Sequence, residues 1–367
     1  MRLLSLSLAD FRNYSSLSLD VSEGLLHVFV GENASGKTNV LDAVAVLSQG
    51  ESALGLEDQD VVRQGQGFYR VRGEAANDAG EKETLEVASQ LQPRRKKAFF
   101  RNDVKIPAAE FVGLLPAVLF LPQDLDLFTG APMRRRRFVD DVLSQVSTAY
   151  YRALGKYRQI LKQRNTLLKR IANGEAKARE LAPWNGQLAE EGSVITLARL
   201  ELVETFTLTL GEEMRSLGEP WGEVTLRYER KGRERCRENL VLETLALLDE
   251  AQERDILLQS TSVGPHRDDW GIVVDGHPLE RFASRGQQRA AVVALLFLEA
   301  SYLELKRGER PVILLDDVFS ELDDLHRERV ASAFPSNQVF LTSTHLPPSL
   351  AEGTVMWAIE GGGIRRM

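Results

Sequence analysis

The sequence predicts an α/β protein: a phosphate-loop head with an antiparallel β part and a parallel-sheet part, interrupted by an inserted helical arm. Three observations predict it. Gly31-Glu32-Asn33-Ala34-Ser35-Gly36-Lys37-Thr38 follows a strand-like LLHVFV (25–30) and precedes a helical NVLDAVAVL (39–47). VILLDD (312–317) and QVFLTS (338–343) read as buried parallel strands near the far end of the chain. Between these ends, from Pro132 to about Ala251, long amphipathic helices replace the alternation of strand and helix. The expected division is a head of residues 1–130 plus 252–367 and an arm of 131–251.

The elements follow in order. MRLLSLSLADFRNYSSLSLD alternates leucine with serine and reads as strand, not as a signal peptide. Residues 68–106 alternate like sheet strands, with turn residues at Asn77–Gly80 and Asn102–Asp103. Leu114 to Leu121 is a further apolar strand, bounded by Pro116 and Pro122. In the arm, Leu154, Tyr157, Leu161, Leu168 and Ile171 recur at helical spacing, until Asn173-Gly174 breaks the run. Trp184 to Leu217 is another long amphipathic stretch, followed by a strand-like VTLRY (224–228) and a helical LVLETLALLDEAQ (240–252). GIVVDG (271–276) reads as a hairpin and 287–306 as an apolar helix.

Composition narrows the class. The chain has 367 residues, 43% of them hydrophobic, enough for a sizeable core. The lone Cys236 excludes an internal disulfide framework and favours a reducing compartment. No run approaches the roughly 18 apolar residues of a membrane span, so the expectation is a cytoplasmic protein with no membrane partner. The net charge of −7 hides a strong asymmetry. From Ala131 to Arg170 eleven lysines and arginines face only Asp140 and Asp141. Arg94, Arg95, Lys96, Lys97 and Arg101 form a second basic cluster. Arg134, Arg135, Arg136, Arg137, Lys96 and Lys97 are therefore candidate DNA phosphate contacts, with a solvated face or an acidic protein partner as the competing readings.

The motifs carry the chemistry. In the 31–38 loop the glycines let the backbone wrap a phosphate, and amides at the helix start bind the anion. Lys37 would reach the β- and γ-phosphates of ATP, and Thr38 would ligate Mg²⁺. Asp316, at the end of a buried strand, is the second Mg²⁺ residue. Asp317 is expected to point to the other side and to orient or deprotonate the attacking water, with Ser320 and Asp323 capping the next helix. His345, past QVFLTS, is a candidate γ-phosphate sensor, and Gln123 a candidate link between Mg²⁺ and a movable segment. Ser284, Gly286 and Gln287 open the 287–306 helix and offer a second anion site. One phosphate loop already cradles this chain's nucleotide, so that second site suits the γ-phosphate held by a partner copy in a two-fold dimer. GPHRDD (264–269) has the residue types of a metal site but reads as a surface or subdomain-bridging ion network.

Together the phosphate loop, the signature-like Ala283-Ser284-Arg285-Gly286-Gln287, the LLDD strand and His345 resemble the ATP-binding-cassette superfamily. Within it the chain resembles the SMC-related DNA-repair branch, and the RecF family above all. ADFRNYSSL, GENASGKTNVLDA, KQRNTLL, GPHRDD, SRGQ and LLDDVFSELD carry that likeness along nearly the whole chain. The resemblance implies a P-loop NTPase cassette head with an inserted arm, nucleotide contacts from Arg12, Asn13 and Asn39, ATP-dependent homodimerisation through Ser284, and weak DNA-stimulated ATP hydrolysis. It also implies binding of double-stranded and gapped or junction DNA and a place beside RecR and RecO. Two departures stand out: Arg285 replaces the usual glycine of transporter-type signatures, and Asp317 stands where many cassette ATPases carry glutamate. A transporter ATPase subunit fits poorly with so long a basic insertion. A non-hydrolysing ATP-dependent clamp differs only in the chemistry at Asp317. A nuclease lacks an acidic pair outside the nucleotide motif.

Overall fold

In the computed structural model the described residues are all except 220, 319–328, 331, 345–352 and 361. They form two compact units: Met1–Asp126 with Ser216–Glu219 and Arg285–Met367, and Leu127–Arg215 with Pro220–Ser284. The expected division placed 127–130 and 252–284 with the head, whereas both groups join the arm. The reason is a strand pairing invisible to local pattern: β9 (Val224–Glu229) pairs antiparallel with β10 (Asp269–Val274) from Glu229↔Asp269 to Val224↔Val274.

The first unit holds two six-stranded sheets. One runs β2-β1-β4-β5-β6-β7, from Tyr14–Asp20, Arg2–Phe11, Phe68–Ala76, Lys82–Gln90, Lys96–Arg101 and Val104–Ile106, all antiparallel. Asn102 and Asp103 both take left-handed backbone angles (φ 50° and 62°), as the tight β6–β7 hairpin requires. The other runs β15-β14-β3-β13-β12-β8, from Gly363–Arg366, Val355–Glu360, Leu26–Val30, Val339–Ser343, Val312–Leu315 and Ala117–Phe120. It is parallel except for β15. Helix α1 (Lys37–Gln49) packs against strands of both sheets, which is why it is apolar almost all round. The short helices α2 (Asp58–Val61) and α3 (Ala108–Phe111) and the long α10 (Arg285–Arg307) also belong to this unit.

His27, on β3, is fully buried, stacked 5.0 Å from Phe340, and its Nδ1 accepts from Trp357 Nε1 at 3.3 Å. Burial pushes its pKa down to about 4 from an ordinary 6.5. Between these values the unfolded chain binds a proton that the folded one refuses, so stability falls as pH drops through the window. In the second unit burial pushes His266 down to about 4 but raises Asp268 to about 6, and these two effects oppose each other. The His27 contribution taken alone is therefore expected to fall by about 2 kcal/mol between pH 7 and pH 5, opposed in the same unit by Asp42 and Asp316, whose carboxyls burial pushes up. Hydrogen exchange at the two pH values checks this. A His27→Asn variant should be less stable at pH 7 and show a flatter acid slope.

The second unit is built on α4 (Pro132–Val146), α5 (Thr148–Ala172) and α6 (Ala182–Ser216), with α7 (Arg237–Glu250), α8 (Gln252–Leu258), α9 (Leu279–Phe282) and a sheet β11-β10-β9, where β11 is His277–Pro278. Ser147 caps α5 by accepting from the Tyr150 amide at 3.1 Å. Among the described residues no helix is long and apolar enough to cross a membrane.

Two buried arginines organise this unit. Arg164 donates to Asn185 (2.8 Å), Asp255 (2.8 Å) and Thr261 (2.7 Å), while Asn165 accepts from the Thr261 amide and hydroxyl. Arg199 donates to Asp140 (2.7 Å) and to the Pro265 carbonyl (2.7 Å). Tyr228 then donates to Asp268 at 2.9 Å, and His266 meets the Tyr157 hydroxyl at 2.6 Å. His266 and Asp268 of GPHRDD and Arg164 and Asn165 of KQRNTLL thus take part in one largely buried polar network within the arm, while Arg267 is exposed. A charge so buried is tolerated only when paired.

Candidate active site

The parallel strands bring the site together. β13 lies between β3 and β12, so the loop after β3 and the acids after β12 emerge at one sheet edge. Gly36 precedes α1 with φ 111°, and a Cβ there would meet Asn13 Nδ2 at 2.4 Å and the Tyr14 hydroxyl at 2.8 Å. Asn13 donates to the Ser35 carbonyl (3.2 Å) and Tyr14 to the Gly36 carbonyl (3.1 Å), bracing the loop from β2. Glu32, Asn33 and Ala34 form its exposed crest, and Ala34 takes φ 63°. The Ser35 hydroxyl is buried and has no hydrogen-bond partner among the described residues. Lys37 points along the loop and donates to the Gly31 and Glu32 carbonyls, both at 2.7 Å.

The acids meet the loop directly. Thr38 donates to both Asp316 oxygens, at 3.0 and 2.9 Å. The Asp316 amide donates to the Phe120 carbonyl of β8 at 2.9 Å. Burial raises the Asp316 pKa, opposed by hydrogen bonds from Thr342 and Thr38. Burial lowers that of Lys37, opposed by the charges of Asp317 and then Asp316. Simple strand alternation would send Asp317 away from Asp316. Asp317 takes a left-handed backbone (φ 44°) just past the strand end at Leu315, and the charges of both acids favour the protonated form of Lys37.

The remaining candidates vary. Arg12 Nε donates to Asn39 Oδ1 (3.2 Å) and its Nη1 to the Asp60 carbonyl (2.9 Å), while Asn39 donates to Asn13 (2.7 Å). Arg12, Asn13, Asn39, Gln59, Asp60 and Arg63 are among the residues lining an open recess of about 730 Å³. Gln123 lies exposed on a 3₁₀ turn, Pro122–Asp126, straight after β8. Ser284 and Gly286 are exposed at the start of the 23-residue α10, and Gln287 donates to Glu219 at 3.1 Å. His345, Ser320 and Asp323 lie outside the described residues.

Known proteins place this geometry. The family described as the RecF/RecN/SMC N terminal domain matches residues 2–359. A DNA replication and repair protein RecF from Heliobacterium modesticaldum is 34% identical across 100% of this chain and 99% of its own. The chain belongs to the RecF family. The Symbiobacterium thermophilum RecF is 38% identical over 94% of this chain and 92% of its own. A solved structure of the recombination mediator protein RecF-ATP in the RecFOR pathway superposes with a TM-score of 0.90 at 27% identity, over 100% of this chain and 97% of that one. The fold is thus the mixed α/β ATPase cassette of RecF.

Against this RecF fold the basic candidates divide. Arg135 is turned inward: it makes a paired contact with Asp269 (2.8 and 2.7 Å) and donates to the Leu127, Phe128 and Gly130 carbonyls. Arg136 donates to the Asp268 carbonyl (2.8 Å), and Arg137 pairs with Asp141 at 3.4 Å. Lys97 pairs with Asp58 at 2.6 Å. Arg135 is therefore corrected from a DNA contact to a structural residue, because its donors are already spent inside the arm. Arg134 and Lys96 are exposed. Sequence reasoning missed Thr342, which the structure puts between the two acids. A buried threonine following the apolar VFL (339–341) was the available signal.

Proposed function

We propose that the chain is a cytoplasmic DNA-repair ATPase that dimerises on ATP, binds double-stranded and gapped or junction DNA, and works with RecR and RecO. The observation that carries this reading is the joint of Lys37, Thr38 and Asp316 at the edge of the parallel sheet. The amides around 33–38 receive the phosphates, and Lys37 exchanges the Gly31 and Glu32 carbonyls for phosphate oxygens. The recess beside Arg12 and Asn39 takes the nucleoside.

Thr38 and Asp316 form an all-oxygen donor set within hydrogen-bond distance of each other, which suits Mg²⁺. Bound there, Mg²⁺ supplies charge neutralisation for the triphosphate. Asp317 orients and deprotonates the attacking water, with His345 and Gln123 as its expected helpers. Exposed Ser284 and Gly286 read the partner's γ-phosphate across the dimer, and hydrolysis removes that contact.

DNA contact through phosphates makes affinity steeply salt-dependent. With about four phosphate contacts, affinity should fall about a hundredfold between 50 and 200 mM salt. Lys96→Glu should weaken binding equally for all sequences, while the fold stays intact. A nearly flat salt response, measured by fluorescence anisotropy on a gapped duplex, would contradict the DNA-binding reading.

A further inference from the structure

We propose that Thr342 is the positioning residue that aims both acids of the site. This rests on the proposed reading of Asp316 as a Mg²⁺ residue and Asp317 as the water-activating acid. A hydroxyl has one proton and two lone pairs, so its two partners here define its orientation. The Thr342 proton goes to Asp316 Oδ1 at 2.6 Å, and a lone pair accepts from the Asp317 amide at 2.9 Å. One side-chain oxygen therefore holds the carboxylate of one acid and the backbone of the next.

The fold explains why it reaches both. β12 and β13 pair in parallel with Leu315 beside Leu341, so the residues just beyond, 316 and 342, are neighbours. Thr342 is 1% exposed, and a β-branched side chain has a stiff first torsion, which keeps the hydroxyl aimed. A buried hydroxyl in an apolar strand needs at least one hydrogen-bond partner, and Thr342 has two. Asp316 also accepts from Thr38, so its carboxylate is gripped from two sides. Thr38 is itself a proposed metal ligand and Thr342 is not, which separates positioning from coordination. Asp317 holds a left-handed backbone unusual for a residue with a side chain, and its amide is held by the bond to Thr342. Outer contacts of this kind orient ligands, and their loss commonly costs about 10- to 100-fold in metal affinity or activity.

The test uses the full chain and three variants. Thr342→Val keeps the shape and removes donor and acceptor, Thr342→Ser keeps both, and Thr342→Ala removes both without crowding. A fluorescent ATP analogue is titrated with Mg²⁺ at fixed nucleotide, and again in EDTA. For Thr342→Val the Mg²⁺ needed for half-saturation should rise about 10- to 100-fold, kcat should fall, and EDTA binding should be unchanged. Thr342→Ser should return most of both losses. A folded Thr342→Val with wild-type Mg²⁺ dependence and kcat overturns the proposal, as does a serine variant no better than valine. If valine disrupts folding, as judged by circular dichroism, the alanine and serine pair makes the same comparison. Wild type that binds no analogue at all would instead remove the reading of the site, and this inference with it.

Discussion

Asp317→Asn is expected to lower ATP turnover by at least about a hundredfold while leaving ATP binding nearly unchanged. Asparagine is the informative replacement for a structural reason. Asp317 has φ 44°, a region that asparagine enters more readily than any other non-glycine residue. Its amide bond to Thr342 belongs to the backbone and survives the change. What disappears is the carboxylate, and with it the group that accepts a proton from water. General base removal costs typically 10²–10⁴-fold, which sets the scale. Single-turnover phosphate release, beside equilibrium ATP binding, reads the two effects separately. Turnover within about threefold of wild type would remove Asp317 from the chemistry. A wild type that binds ATP and never releases phosphate would favour the non-hydrolysing clamp.

The head was readable in the sequence because its signals are local. Short apolar runs gave β3, β12 and β13, each short enough to be strand, and the glycine-rich loop lay where strand meets helix. Asn102-Asp103 announced its hairpin through residues that tolerate positive φ. The arm's edge was not readable, because β9 and β10 pair across about forty residues and nothing local marks that register. The four arginines 134–137 look alike in sequence. Only helix geometry and the Asp269 carboxylate turn Arg135 inward. KQRNTLL and GPHRDD stood out as motifs, yet their use is internal: Arg164 and Asp255 are both 0% exposed and paired at 2.8 Å. Thr342 escaped notice because its partners lie just past another strand, 25 and 26 residues away.

The signature is the second place where a large effect is expected. Ser284 is exposed just before α10 and Arg285 and Gly286 in its first turn, whose amides have no helical partners. The Lys37 loop supplies one phosphate-binding helix start, and α10 offers another on the surface. In the proposed two-fold dimer each exposed start would cover the partner's triphosphate, so that the nucleotide joins the two copies. Ser284→Arg puts a long side chain where that contact forms. It should abolish dimerisation while leaving ATP binding at the chain's own loop intact.

The most direct measurement is molecular mass in solution by light scattering, for wild type and Ser284→Arg, with and without ATP and Mg²⁺. Wild type should double its mass only with ATP, and the variant should stay monomeric while still binding nucleotide. One unchanging mass for both proteins, with nucleotide bound, would contradict the dimer switch and leave the 282–300 segment as no more than the start of a buried helix.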